Sequence, residues 1–239
     1  MTSTATTPSL PSTLERIGDD GGYNGPFNGC GFTCELQLPE KLKYIGFHAF
    51  YNCRNLYGEL HLPSQLEYIG YGAFEECKNL TGSLEIPQSV TELYGQCFDG
   101  CNFNGTLTLH DGITVIGYRA FAYNSLKGEL KLPKGLVMIG DDTFNSCDFS
   151  GELTIPASVV NIGKRAFANN WRLMGTVHFP EGLQSLQQLD TTITAYQQQL
   201  TITRFRSIKL LRKAKLLLYR LKGVGNDEAR GQHLIMCHR

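Results

Sequence analysis

The sequence contains no apolar run long enough to span a membrane, and its beginning lacks the features of a secretory leader. Residues 1–10 include neither a basic region nor the apolar stretch that follows it in a signal peptide. As written, the chain is therefore expected to be cytoplasmic. If the N-terminus is incomplete, we expect a cell-surface or secreted protein instead.

Motifs for catalysis and for metal or cofactor binding are missing as well. The sequence has no nucleophile elbow, phosphate-binding loop, His-Glu-x-x-His motif or paired-carboxylate motif. Its cysteines form no C-x-x-C pair, which is the spacing typical of structural zinc sites. We therefore expect no catalytic residues, no metal and no cofactor, and the sequence does not favour an enzyme.

What the sequence does have is a repeat of fixed length. Phenylalanines recur 23 or 24 residues apart, and around each one the pattern L-x-G-x-L-x-L-P-x-x-L-x-x-I-G-x-x-A-F-x-x-C returns. A period of this length is typical of a solenoid. The phenylalanines of this column are Phe27, Phe50, Phe74, Phe98, Phe121, Phe144 and Phe167.

Each repeat begins with a short alternation of apolar and polar residues, as in residues 84–86, which predicts a strand with one buried face. A proline commonly follows and ends the hydrogen-bond ladder, because it has no N–H to donate. A second apolar pair comes next, such as Leu42 and Ile45, and then a glycine turn such as Gly46. The following segment, such as residues 47–53, is long enough for one or two helical turns.

Two further features support the same register. The repeat length changes only in the link after the cysteine column, which holds one or two residues, and loops tolerate such insertions. A glycine also lies ahead of each strand, where the chain bends and where we expect positive φ. These glycines are Gly58, Gly82, Gly105, Gly128, Gly151 and Gly175.

The pattern L-x-x-[IL]-x-[IL]-P-x-[SG]-[VL]-x-x-I-G-x-x-A-F-x-x-C resembles the leucine-rich repeat of the BspA-like, or Treponema pallidum-type, family. The match covers residues 14–186, although the first copy carries a five-residue, glycine-rich insertion before Phe27. The resemblance implies an α/β fold, a right-handed leucine-rich repeat solenoid with a parallel sheet of short strands on one side and short helical turns on the other. It also implies adhesion or recognition, because proteins of this class are commonly surface or secreted molecules with such roles.

Charge divides the chain, although its formal net charge is zero. Residues 1–200 hold 12 Lys/Arg and 20 Asp/Glu, a net of −8, whereas residues 201–239 hold 10 Lys/Arg and 2 Asp/Glu, a net of +8. We therefore predict a disordered segment at 1–13, a solenoid of about seven repeats at 14–186 and a non-repeat basic tail at 187–239.

Within the tail, residues 204–222 have the pattern of a basic amphipathic helix. Three interpretations stay open: the helix caps the open end of the solenoid, it binds an anionic membrane or a calmodulin-like groove, or the tail is translated from the wrong reading frame. Charge is the sole signal for nucleic acid, so no nucleic-acid partner is expected.

Five of the eight cysteines share one column of the repeat, in which Asn124 and Asn170 take the same place in other copies. These cysteines are Cys30, Cys53, Cys77, Cys101 and Cys147. A side chain of either type at such a turn can satisfy backbone groups of the loop, so we predict a structural role. Cysteines stacked about 4.8 Å apart could form a disulfide in an oxidising compartment, but without a signal peptide we expect free thiols.

Two columns of the predicted strand point outward, and their residues vary in size and charge while the inward columns stay apolar. We predict that these columns form a protein-binding surface. Its candidate residues are Glu35, Gln37, Glu59, His61, Glu85, Thr108, Glu129, Lys131, Glu152, Thr154 and His178. The two histidines of this set are five repeats, or about 24 Å, apart, which is too far for a shared catalytic site.

Aromatic residues on the other side of the repeat form an alternative surface, because exposed aromatic clusters are enriched in interfaces. They are Tyr44, Phe47, Tyr68, Tyr71 and Tyr118. An equally good interpretation is that these rings cover loops and stack on one another.

The sequence therefore favours a non-catalytic protein–protein interaction module that acts in adhesion or recognition and whose protein ligand is not identified. The alternative is an intracellular scaffold that the basic C-terminal helix attaches to an anionic membrane or to a partner.

Overall fold

The structure, a computed structural model, describes residues 10–19, 24–186 and 201–203; for residues 174–178, 185–186 and 201–203 it describes the backbone alone. The predicted helix at 204–222 lies outside these residues, as do most of the segment predicted at 1–13 and most of the basic tail. No helix in the described ranges has the length and hydropathy needed to cross a bilayer.

Short strands make up the regular structure of the described residues. They are β1 (Arg16–Ile17), β2 (Tyr44–Ile45), β3 (Tyr57–Glu59), β4 (Tyr68–Ile69), β5 (Asn79–Thr81), β6 (Leu84–Glu85), β7 (Glu92–Leu93), β8 (Leu107–Thr108), β9 (Val115–Ile116), β10 (Lys127–Glu129), β11 (Met138–Ile139), β12 (Asp148–Thr154), β13 (Asn161–Ile162), β14 (Arg172–His178), β15 (Ser185–Leu186) and β16 (Thr201–Thr203).

These strands form two parallel ladders, because the strands of each coil pair with those of the next coil along the chain. In β3–β5 and β10–β12 the pairing is shifted by two residues from the repeat, so that Gly58 lies beside Leu80 rather than Gly82. The first ladder is made of the sheets β3-β5, β6-β8 and β10-β12-β14-β16, in which Glu85 lies beside Thr108. The second ladder is made of the sheets β1-β2-β4 and β15-β13-β11-β9-β7, in which Ile45 lies beside Ile69. The chain is therefore a parallel solenoid with one coil per repeat.

The predicted strand is confirmed in the coils that contain β6, β8, β12 and β14. In other coils the strand ends just before the predicted alternation, since β3 ends at Glu59 and β10 ends at Glu129. The second ladder coincides with the second apolar pair of the repeat. Its strands are only two residues long, which is too short for alternation to show in the sequence.

The predicted helical turns are wrong, because no helix forms in the part of the chain that the structure describes. Residues 47–53 instead form consecutive tight turns. The N–H groups of His48, Phe50 and Asn52 donate to carbonyls of the next coil over 2.7–2.9 Å. An α-helix would need these donors for its own i→i−4 bonds.

Backbone conformation explains the absence of helix in these segments. Two residues of each segment, four positions apart, have positive φ, as at His48 (48°) and Asn52 (58°). A right-handed helix cannot contain such left-handed residues. The other positions are Gly72, Glu76, Gln96, Gly100, Arg119, Tyr123, Asp142, Ser146, Arg165 and Asn169. Backbone N–H groups along these segments therefore donate alternately within the turn and to the next coil. The side of the solenoid formed by residues 47–53 and their equivalents in other coils is called the turn side.

The core runs along the axis of the stack. The seven phenylalanines of the repeat form a continuous pile, in which neighbouring ring centroids are 5.2–5.7 Å apart and neighbouring planes differ by at most 13°. Offset stacking of this kind adds about 0.5–1.5 kcal/mol per pair to the burial of the rings. The predicted inward columns are confirmed, because residues such as Leu42 and Ile45 are fully buried.

The predicted glycine column lies inside the first-ladder strands β3, β10 and β12 rather than ahead of them, and two kinds of constraint keep glycine in this column. Positive φ is confirmed at Gly58, Gly82, Gly128 and Gly151, where φ is 80–86°. Gly105 does not share this conformation; a Cβ there would lie 2.3 Å from the Ser83 Oγ, so glycine allows the two coils to approach closely.

The structural role of the cysteine column is confirmed. From Cys53 onward, each side chain of the column donates a hydrogen bond to the phenylalanine carbonyl of the preceding coil. The pairs are Cys53 to Phe27 (2.8 Å), Cys77 to Phe50 (3.0 Å), Cys101 to Phe74 (3.0 Å), Asn124 to Phe98 (2.8 Å), Cys147 to Phe121 (3.2 Å) and Asn170 to Phe144 (2.7 Å). One polar side chain per coil therefore satisfies a buried backbone group next to the stacked rings.

Candidate binding surfaces

The outward residues of the first ladder lie on the surface, on either side of its buried leucine column. Ten of the predicted binding residues are exposed: Glu35, Gln37, Glu59, His61, Glu85, Thr108, Glu129, Lys131, Glu152 and Thr154. For His178 the structure describes the backbone, which pairs with that of Thr154. These eleven residues are called the strand face below. Parallel pairing places Glu85 beside Thr108 and Thr154 beside His178, and the strand face recurs once in each coil.

The glycine column shapes the strand face. The Glu35 side chain lies over Gly58, where a Cβ would be 3.1 Å from its Cγ. The Glu59 side chain lies over Gly82 in the same way, with a corresponding distance of 2.5 Å. The glycines therefore make room for the aliphatic parts of glutamates from the preceding coil.

The strand face is acidic. It carries five glutamates and one lysine. Glu59 lies 4.0 Å from His61, and Glu129 lies 3.6 Å from Lys131. Such exposed pairs contribute only about 0–1 kcal/mol, so they do little to prevent these carboxylates from contacting a ligand.

The structure divides the predicted aromatic surface between two sides of the coil. Tyr44 and Tyr68 belong to the second ladder, where their ring centroids are 4.4 Å apart and their planes differ by 2°. The Arg16 guanidinium lies 3.5 Å from the centroid of Tyr44, and Tyr94 lies 5.0 Å from Tyr68. Most ring faces in this row are therefore covered.

Phe47, Tyr71 and Tyr118 lie on the turn side. Phe47 and Tyr71 are stacked, with centroids 5.7 Å apart. The Tyr71 ring also lies against Gly95, where a Cβ would be 2.8 Å from it. Tyr118 is 42% exposed, so it offers more surface to a partner than the half-buried Phe47.

The turn side also carries a row of charged and amide side chains that the sequence interpretation missed. Gln96 donates to Glu75 (2.5 Å), Arg119 contacts Asp99 (3.0 Å), and Arg165 binds Asp142 through two of its nitrogens, including Nε at 2.7 Å. Such residues recur at fixed places between the glycine turn and the cysteine column. That recurrence was visible, but the Gln96–Glu75 and Arg119–Asp99 contacts join different places of adjacent repeats, and only Arg165 and Asp142 occupy the same place.

Two carboxyl groups in this row have raised pKa values. Burial, reinforced by the negative charge of Asp99, raises the pKa of Glu75 to about 7. Burial likewise raises the pKa of Asp99 to about 6, although Arg119 opposes the shift. Glu75 therefore changes protonation near neutral pH. The described residues contain no group of three side chains suited to hold a metal ion.

Parallel ladders, inward leucine-type columns and one coil per repeat define this chain as a leucine-rich repeat solenoid. The family model of the BspA type Leucine rich repeat region matches it in six copies, over residues 23–148 and 81–199. The chain belongs to this family of BspA-type leucine-rich repeat proteins, which are generally protein-interaction modules.

A solved structure of a leucine-rich repeat protein shows the same kind of fold. A leucine-rich repeat protein from Bacteroides ovatus matches with a TM-score of 0.56 and 21% identity, over 77% of this chain and 52% of that one. A leucine-rich cell surface protein from Faecalibacterium prausnitzii matches with a TM-score of 0.46 and 21% identity, over 80% of this chain and 66% of that one. The chain thus spans about half to two thirds of the length of these proteins. Among curated proteins, none matches it.

Proposed function

We propose that the chain is a non-catalytic protein-binding module that acts in adhesion or recognition through its strand face. One observation carries the proposal: the strand-face side chains are exposed and vary from coil to coil, while the leucines between them are buried and constant. A rigid ladder that presents changeable side chains at fixed spacing suits the recognition of a protein surface.

The charge of the strand face favours a particular kind of ligand. Five glutamates and one lysine attract a protein with a basic surface, and their field increases the rate of its association. Because these side chains are exposed, we expect the attraction to weaken as salt is added.

The test uses the full chain and a panel of purified extracellular-matrix proteins, with binding measured by surface plasmon resonance. The variant Glu59→Gln/Glu85→Gln/Glu129→Gln removes three charges from the strand face. A matched control, Glu15→Gln/Glu67→Gln/Glu92→Gln, removes three exposed charges elsewhere. We expect about tenfold weaker binding for the first variant and no change for the control, with unchanged circular dichroism for both.

The remaining outcomes either move the binding site away from the strand face or contradict the adhesion role. Equal loss in both triple variants would show a general charge effect and contradict the strand face as the site. Loss in the variant Tyr71→Ala/Tyr118→Ala alone would move the site to the turn side. If no matrix protein binds the wild-type chain, the adhesion role is wrong.

Membrane contact through residues 204–222 is a second proposal, supported by the net charge of +8 in residues 201–239. Cosedimentation of the full chain with phosphatidylserine-containing vesicles tests it, with phosphatidylcholine vesicles as the control. We expect binding to the anionic vesicles alone and its loss at high salt. Equal binding to both would contradict the electrostatic attachment.

A further inference from the structure

The first cysteine of the repeat column differs from those that follow it. Later members donate to a phenylalanine carbonyl of the preceding coil, as Cys53 does to Phe27 at 2.8 Å. Cys30 lies in the first coil in which the structure describes this column, and its Sγ instead lies 2.7 Å from the Sγ of Cys53. This contact brings two thiols of adjacent coils together.

The backbone arrangement around this pair is compatible with a covalent link. Beside the pair, the Gly29 N–H donates to the Tyr51 carbonyl over 2.7 Å and the rings of Phe27 and Phe50 stack with centroids 5.2 Å apart, so the two coils are in direct contact. Disulfides join Cα atoms separated by about 4.4–6.8 Å, which suits coils this close together. We propose that Cys30 and Cys53 form an intramolecular disulfide by exchange with a low-molecular-weight disulfide such as oxidised glutathione.

Burial assigns the two cysteines different steps of the exchange. Cys30 is half-buried, and a Cβ added at its neighbours Gly29 or Gly31 would meet nothing within 4 Å, so a small disulfide can reach its sulfur. Cys53 is fully buried, and this burial, with the hydrogen bond to Cys30, raises the pKa of its thiol. Cys30 is therefore the attacking thiol and Cys53 the resolving thiol.

The reaction balances as two successive exchanges. The Cys30 thiolate attacks one sulfur of oxidised glutathione, which forms a mixed disulfide and releases one reduced glutathione. Cys53 then loses its proton to solvent and attacks the Cys30 sulfur, which releases the second glutathione as a thiol. The two cysteines are oxidised, and one glutathione disulfide is reduced to two thiols.

The link fastens the first coil to the rest of the array. It closes a loop from residue 30 to residue 53, and this loop carries Glu35 and Gln37 of the strand face. Cross-linking reduces the conformational freedom of the unfolded chain, so the oxidised form resists opening of this coil better.

The experiment incubates the full chain with increasing ratios of oxidised to reduced glutathione, alkylates the remaining thiols and maps the peptides by mass spectrometry. We expect a peptide pair linked through Cys30 and Cys53 in the wild-type chain and in the control variant Cys77→Asn. The variant Cys53→Asn should stop at a glutathione adduct on Cys30. Asparagine is a suitable replacement, because Asn124 fills the same column.

A further variant, Cys30→Ser, tests the proposal even if Cys53→Asn does not fold. In Cys30→Ser, the buried Cys53 should stay unmodified by glutathione, because its attacking partner is missing. Links between Cys30 and Cys34, or between Cys53 and Cys77, would overturn the proposal. So would a wild-type chain that stops at the adduct on Cys30 while Cys53 is recovered as a free thiol.

Discussion

At the scale of single residues, the side chain three positions after each core phenylalanine connects its coil to the preceding one. Where this residue is cysteine, its thiol gives one hydrogen bond to the phenylalanine carbonyl, as at Cys77. Where it is asparagine, the amide gives more: Asn124 donates to the carbonyls of Phe98, Phe121 and Ala122 over 2.8–3.2 Å. The two residue types therefore occupy the same column with different numbers of bonds.

This difference predicts a graded effect of substitution at Asn124. Asn124→Ala leaves the buried Phe98 carbonyl without its side-chain donor and the Phe103 N–H without its acceptor, whereas the Phe121 carbonyl keeps the bond from Cys147. We expect the free energy of unfolding to fall by about 2–3 kcal/mol, since each buried group without a partner costs about 1–3 kcal/mol. Asn124→Cys restores the bond to Phe98, so its loss should be about half as large. Urea denaturation followed by circular dichroism measures both, and equal losses would contradict the role of the column.

Glu75 makes stability depend on pH. Burial and the negative charges of Asp99 and Glu76 raise its pKa from 4.5 to about 7, against the attraction of Arg119, and His48 Nε2 lies 3.8 Å from its carboxylate. The native state therefore binds this proton more tightly than the unfolded chain does. The contribution of Glu75 to stability is greatest below about pH 4.5 and falls as the pH rises to about 7.

The variant Glu75→Gln isolates this contribution. Its amide oxygen can still accept the hydrogen bond from Gln96, but it carries no charge at any pH. We expect the variant to be more stable than wild type by about 1–3 kcal/mol at about pH 8, with the difference vanishing near pH 4.5. The exposed control Glu67→Gln should show no such trend in urea denaturation. A difference for Glu75→Gln that does not change with pH would contradict the shifted pKa.

At the scale of elements, the features that can be predicted from the sequence are those that require a particular residue type at a fixed position of the repeat. The buried columns of Leu42 and Ile45, the glycine column of the first ladder and the shared column of Cys77 and Asn124 all require particular residue types, so their period is visible. The outward strand-face columns could be found in the same way, because alternation separates them from the buried leucines.

The turn side could not be predicted in this way. Its left-handed positions are filled by residues with little chemistry in common, such as His48, Glu76 and Arg119. What stabilises them is the set of backbone bonds to the next coil, such as His48 N–H to the Tyr71 carbonyl at 2.9 Å. These bonds depend on stacking rather than on side chains. The Asp99–Arg119 pair was missed because its partners occupy different positions in two successive repeats.

Substitutions at Asn52 distinguish a tight left-handed turn from a helical one. Asn52 has a φ of 58°, so glycine is tolerated there and alanine is strained. We expect Asn52→Gly to be more stable than Asn52→Ala by about 1 kcal/mol. In a helix the order would be reversed by a similar amount, because alanine is the better helix former. Thermal unfolding of the two variants measures the order, and a more stable alanine variant would contradict the turn.

At the scale of the whole molecule, the solenoid is a series of contacts between neighbouring coils. The core phenylalanines stack pairwise, and the backbone bonds that link coils join residues of adjacent repeats. Stability in such an array is approximately a sum over coils and their interfaces. A coil can therefore be removed without altering the structure of the others, provided that the register of the columns is kept.

Deleting residues 54–77 tests this consequence. The deletion joins Cys53 to Lys78, so the column order is preserved, Phe50 can stack on Phe98, and Cys101 can donate to the Phe50 carbonyl. The half-buried carboxylate of Glu75 is removed with the coil, while the Asp99–Arg119 pair is kept. We expect a folded chain with the same shape of circular dichroism spectrum and a lower unfolding temperature, because one interface between coils is lost.

The matched control deletes residues 54–73, which joins Cys53 to Phe74 and breaks the column order. This chain cannot place its apolar columns inward on both sides of the junction, so it should lose cooperative unfolding and bind a hydrophobic dye. If the two deletions behave alike, the coils are not interchangeable units, and the stability of the solenoid depends on contacts beyond nearest neighbours. If only the in-register deletion folds, the strand face can be shortened coil by coil, and each step shows how much that coil contributes to ligand binding.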